Sequence, residues 1–311
     1  KITRSIVHST WTPLSRVDVV DVPPETRTIR ARGRAARPSD VPPQVEVMQD
    51  GSASTLLTDF SGHPKSRALL TPALYSAATQ IRTGANVFVV GFGGGDDVWA
   101  ALEGNPTRID AVDLHHPVLA AHTSVRPEWS RVLLEDPRIH LTVMEGRTAL
   151  NRLDRTYDIV QLTGIDTWAA LSSGAFMLAE NYLYTTESFA TMIDRLSPNG
   201  VLQITRMAAE METLRVLVQL RHALTVRSRA DFAACIIVIG SADHQVATLL
   251  NREGFTSDDT ATVLAWAEAS NLVVHHAPGM EGTGLIHDYV VHTDPDAFVQ
   301  AFPRLIAPTT D

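Results

Sequence analysis

The sequence predicts an α/β fold built on a doubly wound, mainly parallel sheet, with a small antiparallel β-sheet ahead of it, on three observations. Short apolar runs of strand length alternate with helical patches from residue 64 onward, the pattern of a parallel sheet covered on both faces. One of those runs leads through a glycine-dense turn, Gly91-Phe92-Gly93-Gly94-Gly95, into a helix. Before residue 62 the chain instead alternates apolar and polar positions, as in Arg16-Val17-Asp18-Val19 and Gln44-Val45-Glu46-Val47-Met48, which is period-two strand patterning.

Taken in order, these patterns divide the chain into a β domain over 1–62 and a ligand-binding α/β domain over 63–311. Between the N-terminal strands lies a stretch with five arginines, Arg27, Arg30, Arg32, Arg34 and Arg37, read as a solvated hairpin loop over 27–40. A helix is expected over 67–81, where few breakers follow Pro72. Strands are expected over 87–90, 108–114, 139–144, 157–162, 200–205 and 232–239. Helices are expected between them over 97–102, 117–121, 148–153, 187–196 and 211–224, then an amphipathic helix over 258–269 and a last strand over 288–292.

Composition bounds the function. The chain has 311 residues, 44% of them hydrophobic, enough for a full-sized core. Lys and Arg number 26 against 35 Asp and Glu, a net charge of −9, which disfavours nucleic acid and anionic membranes as partners. The one cysteine, Cys235, lies in an apolar run and reads as a small core residue. His115 and His116 are adjacent, and neighbours in sequence rarely converge on one ion; no metal site is expected.

Chemistry concentrates at the glycine turn. Glycines there open backbone angles closed to other residues and let a ligand approach the main chain. The next strand ends in Asp113, eighteen residues beyond Gly95, a spacing that suits a carboxylate accepting hydrogen bonds from a ribose diol. A dinucleotide fingerprint would place a glycine where Asp96 or Val98 stands, so the G-x-G-x-G form resembles the first motif of class I S-adenosylmethionine-dependent transferases. Glu145 ends the third strand, where such folds place a polar group at the adenine edge, and Tyr157-Asp158-Ile159-Val160 opens the fourth.

With Glu145-Gly146-Arg147-x-x-Leu150 and Leu196-Ser197-Pro198-Asn199-Gly200-Val201, this succession resembles the spermidine synthase (polyamine aminopropyltransferase) superfamily. The small antiparallel sheet ahead of a Rossmann-like domain fits it as well, so the resemblance covers most of the chain. Ser173-Gly174 followed by Glu180-Asn181-Tyr182-Leu183-Tyr184-Thr185 resembles the divergent branch often fused to membrane segments. The lack of an initiator Met and the ending Ala307-Pro308-Thr309-Thr310-Asp311 agree with a piece of such a protein, cytoplasmic and cut from a membrane protein.

The resemblance implies a nucleoside site of Gly91, Gly93, Gly94, Gly95, Asp97, Asp113, Glu145, Gly146 and Thr163, binding S-adenosylmethionine or its decarboxylated form. It implies acid, base or acceptor roles for Asp166, Glu180 and Tyr182, each with a packing or capping reading beside it. The family's Asp-Ser-x-Asp pattern after the fourth strand aligns its first Asp with Thr163 and its second with Asp166. Its loop Asp aligns with Gly94 unless a two-residue insertion restores it as Asp96, and of its Tyr-His-Glu station only Tyr75 remains. Losing carboxylates suited to a cationic aminopropyl chain favours full S-adenosylmethionine, hence transfer of a methyl or related alkyl group to a small acceptor, an amine among the candidates. Aminopropyl transfer to a polyamine and a non-catalytic binding or assembly module are the alternatives. Residues 167–182 are expected to form a lid over the acceptor side, and the β domain to offer a surface for a homo-oligomer.

Overall fold

The computed structural model describes residues 5–12, 15–51, 53–165, 181–207, 210–228, 230–302 and 306–310. Four strands, β1 (Ile6–Trp11), β2 (Arg16–Asp21), β3 (Gln44–Gln49) and β4 (Ala53–Thr58), form an antiparallel sheet in sequential order. The period-two pattern has its expected effect: Val17, Val19, Val45, Val47 and Leu57 point inward and pack on Val118 and Ala121 of the larger unit.

The second sheet has eight strands among the described residues. Its parallel part is β5 (Asn86–Val90), β6 (Arg108–Asp113), β7 (Ile139–Val143), β8 (Tyr157–Thr163) and β9 (Leu196–Met207). An antiparallel edge of β10 (Ile236–Gly240), β11 (Gln245–Leu250) and β12 (Val273–His276) completes the order β12-β10-β11-β9-β8-β5-β6-β7. Successive residues feed opposite faces: Val87, Val89, Ile109 and Ile159 join one buried cluster, Phe88, Val90, Val112 and Val160 the other.

Helices cover both faces: α1 (Asp96–Glu103), α2 (His116–Ala120), α3 (Pro127–Glu135), α4 (Gly146–Arg152), α5 (Thr186–Asp194), α6 (Glu210–Leu224), α7 (Phe232–Cys235), α8 (Ser257–Ala269), α9 (Leu285–Val290) and α10 (Pro295–Gln300). The residues opening β8 lock the sheet. Tyr157 donates its hydroxyl to Asp110 at 2.9 Å, and Asp158 accepts from the Asn86 N–H at 2.9 Å and the Ser197 hydroxyl at 2.5 Å. No helix among the described residues is long and apolar enough to cross a membrane.

Four expectations are corrected. The stretch 67–81 is not a helix but three 3-10 turns, 64–69, 74–76 and 78–80. Tyr75 and Leu74 direct their carbonyls to Gln161 and Gln203 of the sheet instead of to a helix ladder. The run at 232–239 divides into α7 and β10. The pattern at 288–292 belongs to the end of α9, whose Ile286, Tyr289 and Val290 are buried at helical spacing. The arginine-rich stretch is solvated only over 34–40; before that Ala31 donates its N–H to Asp243 at 2.8 Å and accepts from Leu74 at 2.7 Å, and Arg32 donates to the Leu69 carbonyl. It straps the first sheet to the second unit.

Candidate functional site

The chain leaves β5 at Gly91, and Gly91 and Phe92 both donate their N–H to Val112 of β6, at 2.8 and 3.0 Å. Gly91, Gly93 and Gly95 take φ values of +80°, +50° and +90°, a left-handed path that side chains resist. Gly94 is required for a different reason: a Cβ there would overlap the Leu56 carbonyl oxygen of β4. The first sheet thus lies directly against the turn.

Side chains from three elements hold this turn. Asp113 accepts from the Gly93 N–H at 2.9 Å and from the His115 N–H at 2.8 Å, and the Thr55 hydroxyl accepts from the Gly94 N–H at 2.8 Å. His122, fully buried, faces the Gly93 carbonyl through Nε2 at 2.7 Å and Ser130 through Nδ1 at 2.6 Å. A carbonyl only accepts, so Nε2 carries the hydrogen and Nδ1 accepts from Ser130. Burial lowers the His122 pKa to about 4, so the ring is neutral and this tautomer is fixed. Burial pushes the Asp113 carboxyl upward, opposed by the two N–H groups.

Beyond Gly95 the first turn of α1 presents Asp96 and Asp97. Asp97 is buried and accepts from the Gln161 amide and, at 2.8 Å, from the Thr163 hydroxyl, both on β8. Burial raises its pKa to about 6, against those hydrogen bonds. The buried Oδ1 of Asp96 has no hydrogen-bond partner among the described residues. Burial, with Asp97 beside it, raises the Asp96 pKa to about 7, and Arg30 opposes the rise. Tyr75 joins the same group: burial and then the two carboxylates push its phenol well above the usual range. The arrangement is a glycine turn whose N–H groups are all held within the protein, flanked by two carboxyls whose pKa values burial raises towards neutrality.

The structure therefore brings together Gly91, Gly93, Gly94, Gly95, Asp97, Asp113 and Thr163. Glu145 has a local duty: its carboxylate caps α4 by accepting from Arg147 and Thr148, both at 2.7 Å, while Gly146 packs against Val90. Asp166, Glu180 and the Tyr182 side chain lie outside the described residues, as do 167–180 of the expected lid. Sequence reasoning missed Thr55, His122, Ser130 and Gln161. Of these only Gln161, a lone amide in Val160-Gln161-Leu162, carried a signal.

No protein-family model and no curated protein matches the chain. Solved structures do. A spermidine synthase in complex with the transition-state analogue AdoDATO aligns over 82% of this chain and 74% of its own, with 14% identity and a TM-score of 0.54. The Thermotoga maritima spermidine synthase aligns over 82% and 75%, with 15% identity and a TM-score of 0.54. A probable spermidine synthase from Corynebacterium glutamicum aligns over 99% of this chain and 97% of its own, with 11% identity and a TM-score of 0.57. The fold is spermidine synthase-like. In this spermidine synthase-like fold the glycine turn sits at the carboxyl ends of the parallel strands, where open α/β sheets take their ligands.

Proposed function

We propose that the protein is an alkyl transferase that binds an adenosyl sulfonium, S-adenosylmethionine or its decarboxylated form, and transfers an alkyl group to a small acceptor, with an amine favoured. The observation that carries this reading is the Asp96 Oδ1, without a hydrogen-bond partner among the described residues, beside a glycine turn clamped by Asp113. A carboxyl in that state suits a ligand ammonium, whose N–H donors and charge would satisfy it. Asp113 uses two of its roughly four lone-pair sites on the main chain, which leaves acceptors for a ribose diol. Gly91 and Gly93 would let the nucleoside approach; the Ile165 side chain, now against Gly91, would turn aside. Glu145 and Gly146 would border the adenine.

The sulfonium supplies an activated carbon whose bond to sulfur breaks as the acceptor attacks. What this chain contributes is orientation of that carbon and acceptance of charge. Asp166, Glu180 and Tyr182 are proposed for the acceptor side and its proton. The donor is the open choice. The case for full S-adenosylmethionine rests on Gly94 and Thr163 lacking carboxylates, yet Gly94 faces the Leu56 main chain and Asp97 sits 2.8 Å from the Thr163 hydroxyl. Two neighbouring carboxyls repel a methionine carboxylate and welcome a lone ammonium, which favours the decarboxylated donor and aminopropyl transfer. A second reading, methyl transfer from S-adenosylmethionine, draws on Arg30, whose charge acts on Asp96 and would favour a methionine carboxylate from its place on Ser54 and Glu46.

Calorimetric titration with S-adenosylmethionine, its decarboxylated form and methylthioadenosine tests this. All three should bind, the decarboxylated form tightest, with product formed when an amine is added. Absence of binding by all three defeats the proposal, and binding without turnover of any amine would leave a non-catalytic module.

A further inference from the structure

A cleft of about 240 Å³ opens on the same rim of the sheet as the glycine turn, three strands along. Its walls include Glu210 and Thr213 from the start of α6, Val246 of β11, His275 of β12, and Ile286 and His287 of α9. Arg206, at the end of β9, stands between the two places, with its guanidinium on the Ile165 carbonyl at 3.2 Å and on Glu212 at 3.4 Å. The cleft is therefore separate from the glycine-turn site, and a ligand bound in it is independent of the transferase reading.

Its polar groups are unusually short of partners. Thr213 is 2% exposed, and its Oγ1 has no hydrogen bond among the described residues, although a helical threonine ordinarily bonds back to the preceding turn. The histidines can be followed atom by atom. His276 faces the Ala233 carbonyl through Nε2 at 3.1 Å, so that nitrogen carries the hydrogen. Burial keeps the His276 ring neutral, so its Nδ1 is a bare acceptor for the Nδ1–H of His287 at 3.2 Å. His287 thus spends its Nδ1–H on His276, which leaves Nε2 as its one remaining polar ring atom, with no partner among the described residues. His275, held neutral by burial, makes no hydrogen bond among them either. Glu210 supplies the one carboxylate of the lining, and no Lys or Arg is part of it.

We propose that this cleft is a second ligand site, for a small primary alkylammonium. Its three N–H donors match the Glu210 carboxylate, Thr213 Oγ1 and His287 Nε2, and its alkyl stem matches Val246 and Ile286. An anion would meet the Glu210 charge beside the neutral His275 ring, with no Lys or Arg in the lining to receive it. A metal ion fits poorly, because no three His, Cys, Asp or Glu side chains among the described residues are grouped to hold one. The volume lies below the roughly 300–1,000 Å³ of pockets for drug-sized ligands, which suits a ligand of a few carbons.

The test is titration of the full chain with n-butylammonium chloride at constant, near-neutral pH, read on the imidazole proton resonances of His275 and His287. Sodium butyrate and sodium chloride serve as controls. Both histidines should shift saturably with the amine and not with butyrate. Glu210→Gln should weaken binding by about tenfold or more, the scale of one charge-assisted hydrogen bond, and Thr213→Val by several-fold. Asp96→Asn should leave these shifts unchanged, which separates the cleft from the glycine-turn site. A linear response, equal shifts with butyrate, or unchanged affinity in Glu210→Gln and Thr213→Val would overturn the proposal.

Discussion

Replacing Asp96 by Asn should make the protein more stable and less able to bind its ligand. Burial and the neighbouring Asp97 move this carboxyl from 3.8 to about 7. Between about pH 4 and pH 7 the folded chain thus holds a proton that the unfolded chain has released. The stability associated with the neutral form is complete below 3.8 and is lost as pH rises through 7, so wild-type stability falls across that window. A displacement of about three pH units corresponds to about 4 kcal/mol at ~1.4 kcal/mol per unit. Asp97, titrating at about 6, contributes in the same direction. Asn keeps the shape and removes the ionisation. Its gain over wild type should be about 4 kcal/mol near pH 8 and between about 1 and 2 kcal/mol near pH 5. Denaturant midpoints of the two proteins at both pH values give the comparison. Calorimetry should show wild-type affinity for the decarboxylated ligand rising as pH passes 7, and the variant losing most of it. A variant less stable than wild type near pH 8, or a gain independent of pH, would refute the burial argument. Full ligand affinity in the variant would refute the assignment of the ammonium.

Three further outcomes are expected. His122→Phe removes the donor to Gly93 and the acceptor for Ser130, and should cost about 2 to 4 kcal/mol in denaturant stability while weakening adenosyl binding; unchanged stability would remove the clamp. Asp113→Ala should weaken adenosyl binding by about 1.5 to 3 kcal/mol, and Thr55→Val, which deletes only the Gly94 contact, by less; equal losses would assign the effect to the turn and not to ribose. Tyr157→Phe should cost about 1 to 2 kcal/mol of stability by abandoning Asp110, with ligand affinity intact; altered affinity would contradict its placement away from the site.

Much of the scaffold could be read from the sequence because local and global preferences agree there. The strands β5, β6 and β8 are short apolar runs whose alternate residues enter two cores, and both α6 and α8 carry polar, acidic N-terminal turns ahead of their apolar periods. Reading failed where tertiary partners replaced local ones. Residues 67–81 have adequate helix propensity, but sheet amides claim the carbonyls of Leu74 and Tyr75. His122 had no pattern to announce it: its role depends on a π turn at 121–125 that aims the ring at Gly93.

The same limit applies to the chemistry. Read one position at a time, Gly94 and Thr163 carry no carboxylate, and negative charge is counted as missing there. A site, however, is sensitive to where charge lies in space. The first turn of α1 projects Asp97 onto the Thr163 hydroxyl, and the close approach of Leu56 makes Gly94 a packing position with no room for a side chain. Negative charge here lies on the helix adjoining the strand end, where two neighbouring carboxyls are buried. Burial raises the titration of both, so their ionised forms weigh against the folded state, and under the proposed function the Asp96 oxygen without a partner among the described residues is the atom a ligand cation would satisfy. An unfavourable pair of this kind beside an ordered glycine turn is the physical argument for the proposed cationic ligand, and it fails if Asp96→Asn binds the decarboxylated form as well as wild type does.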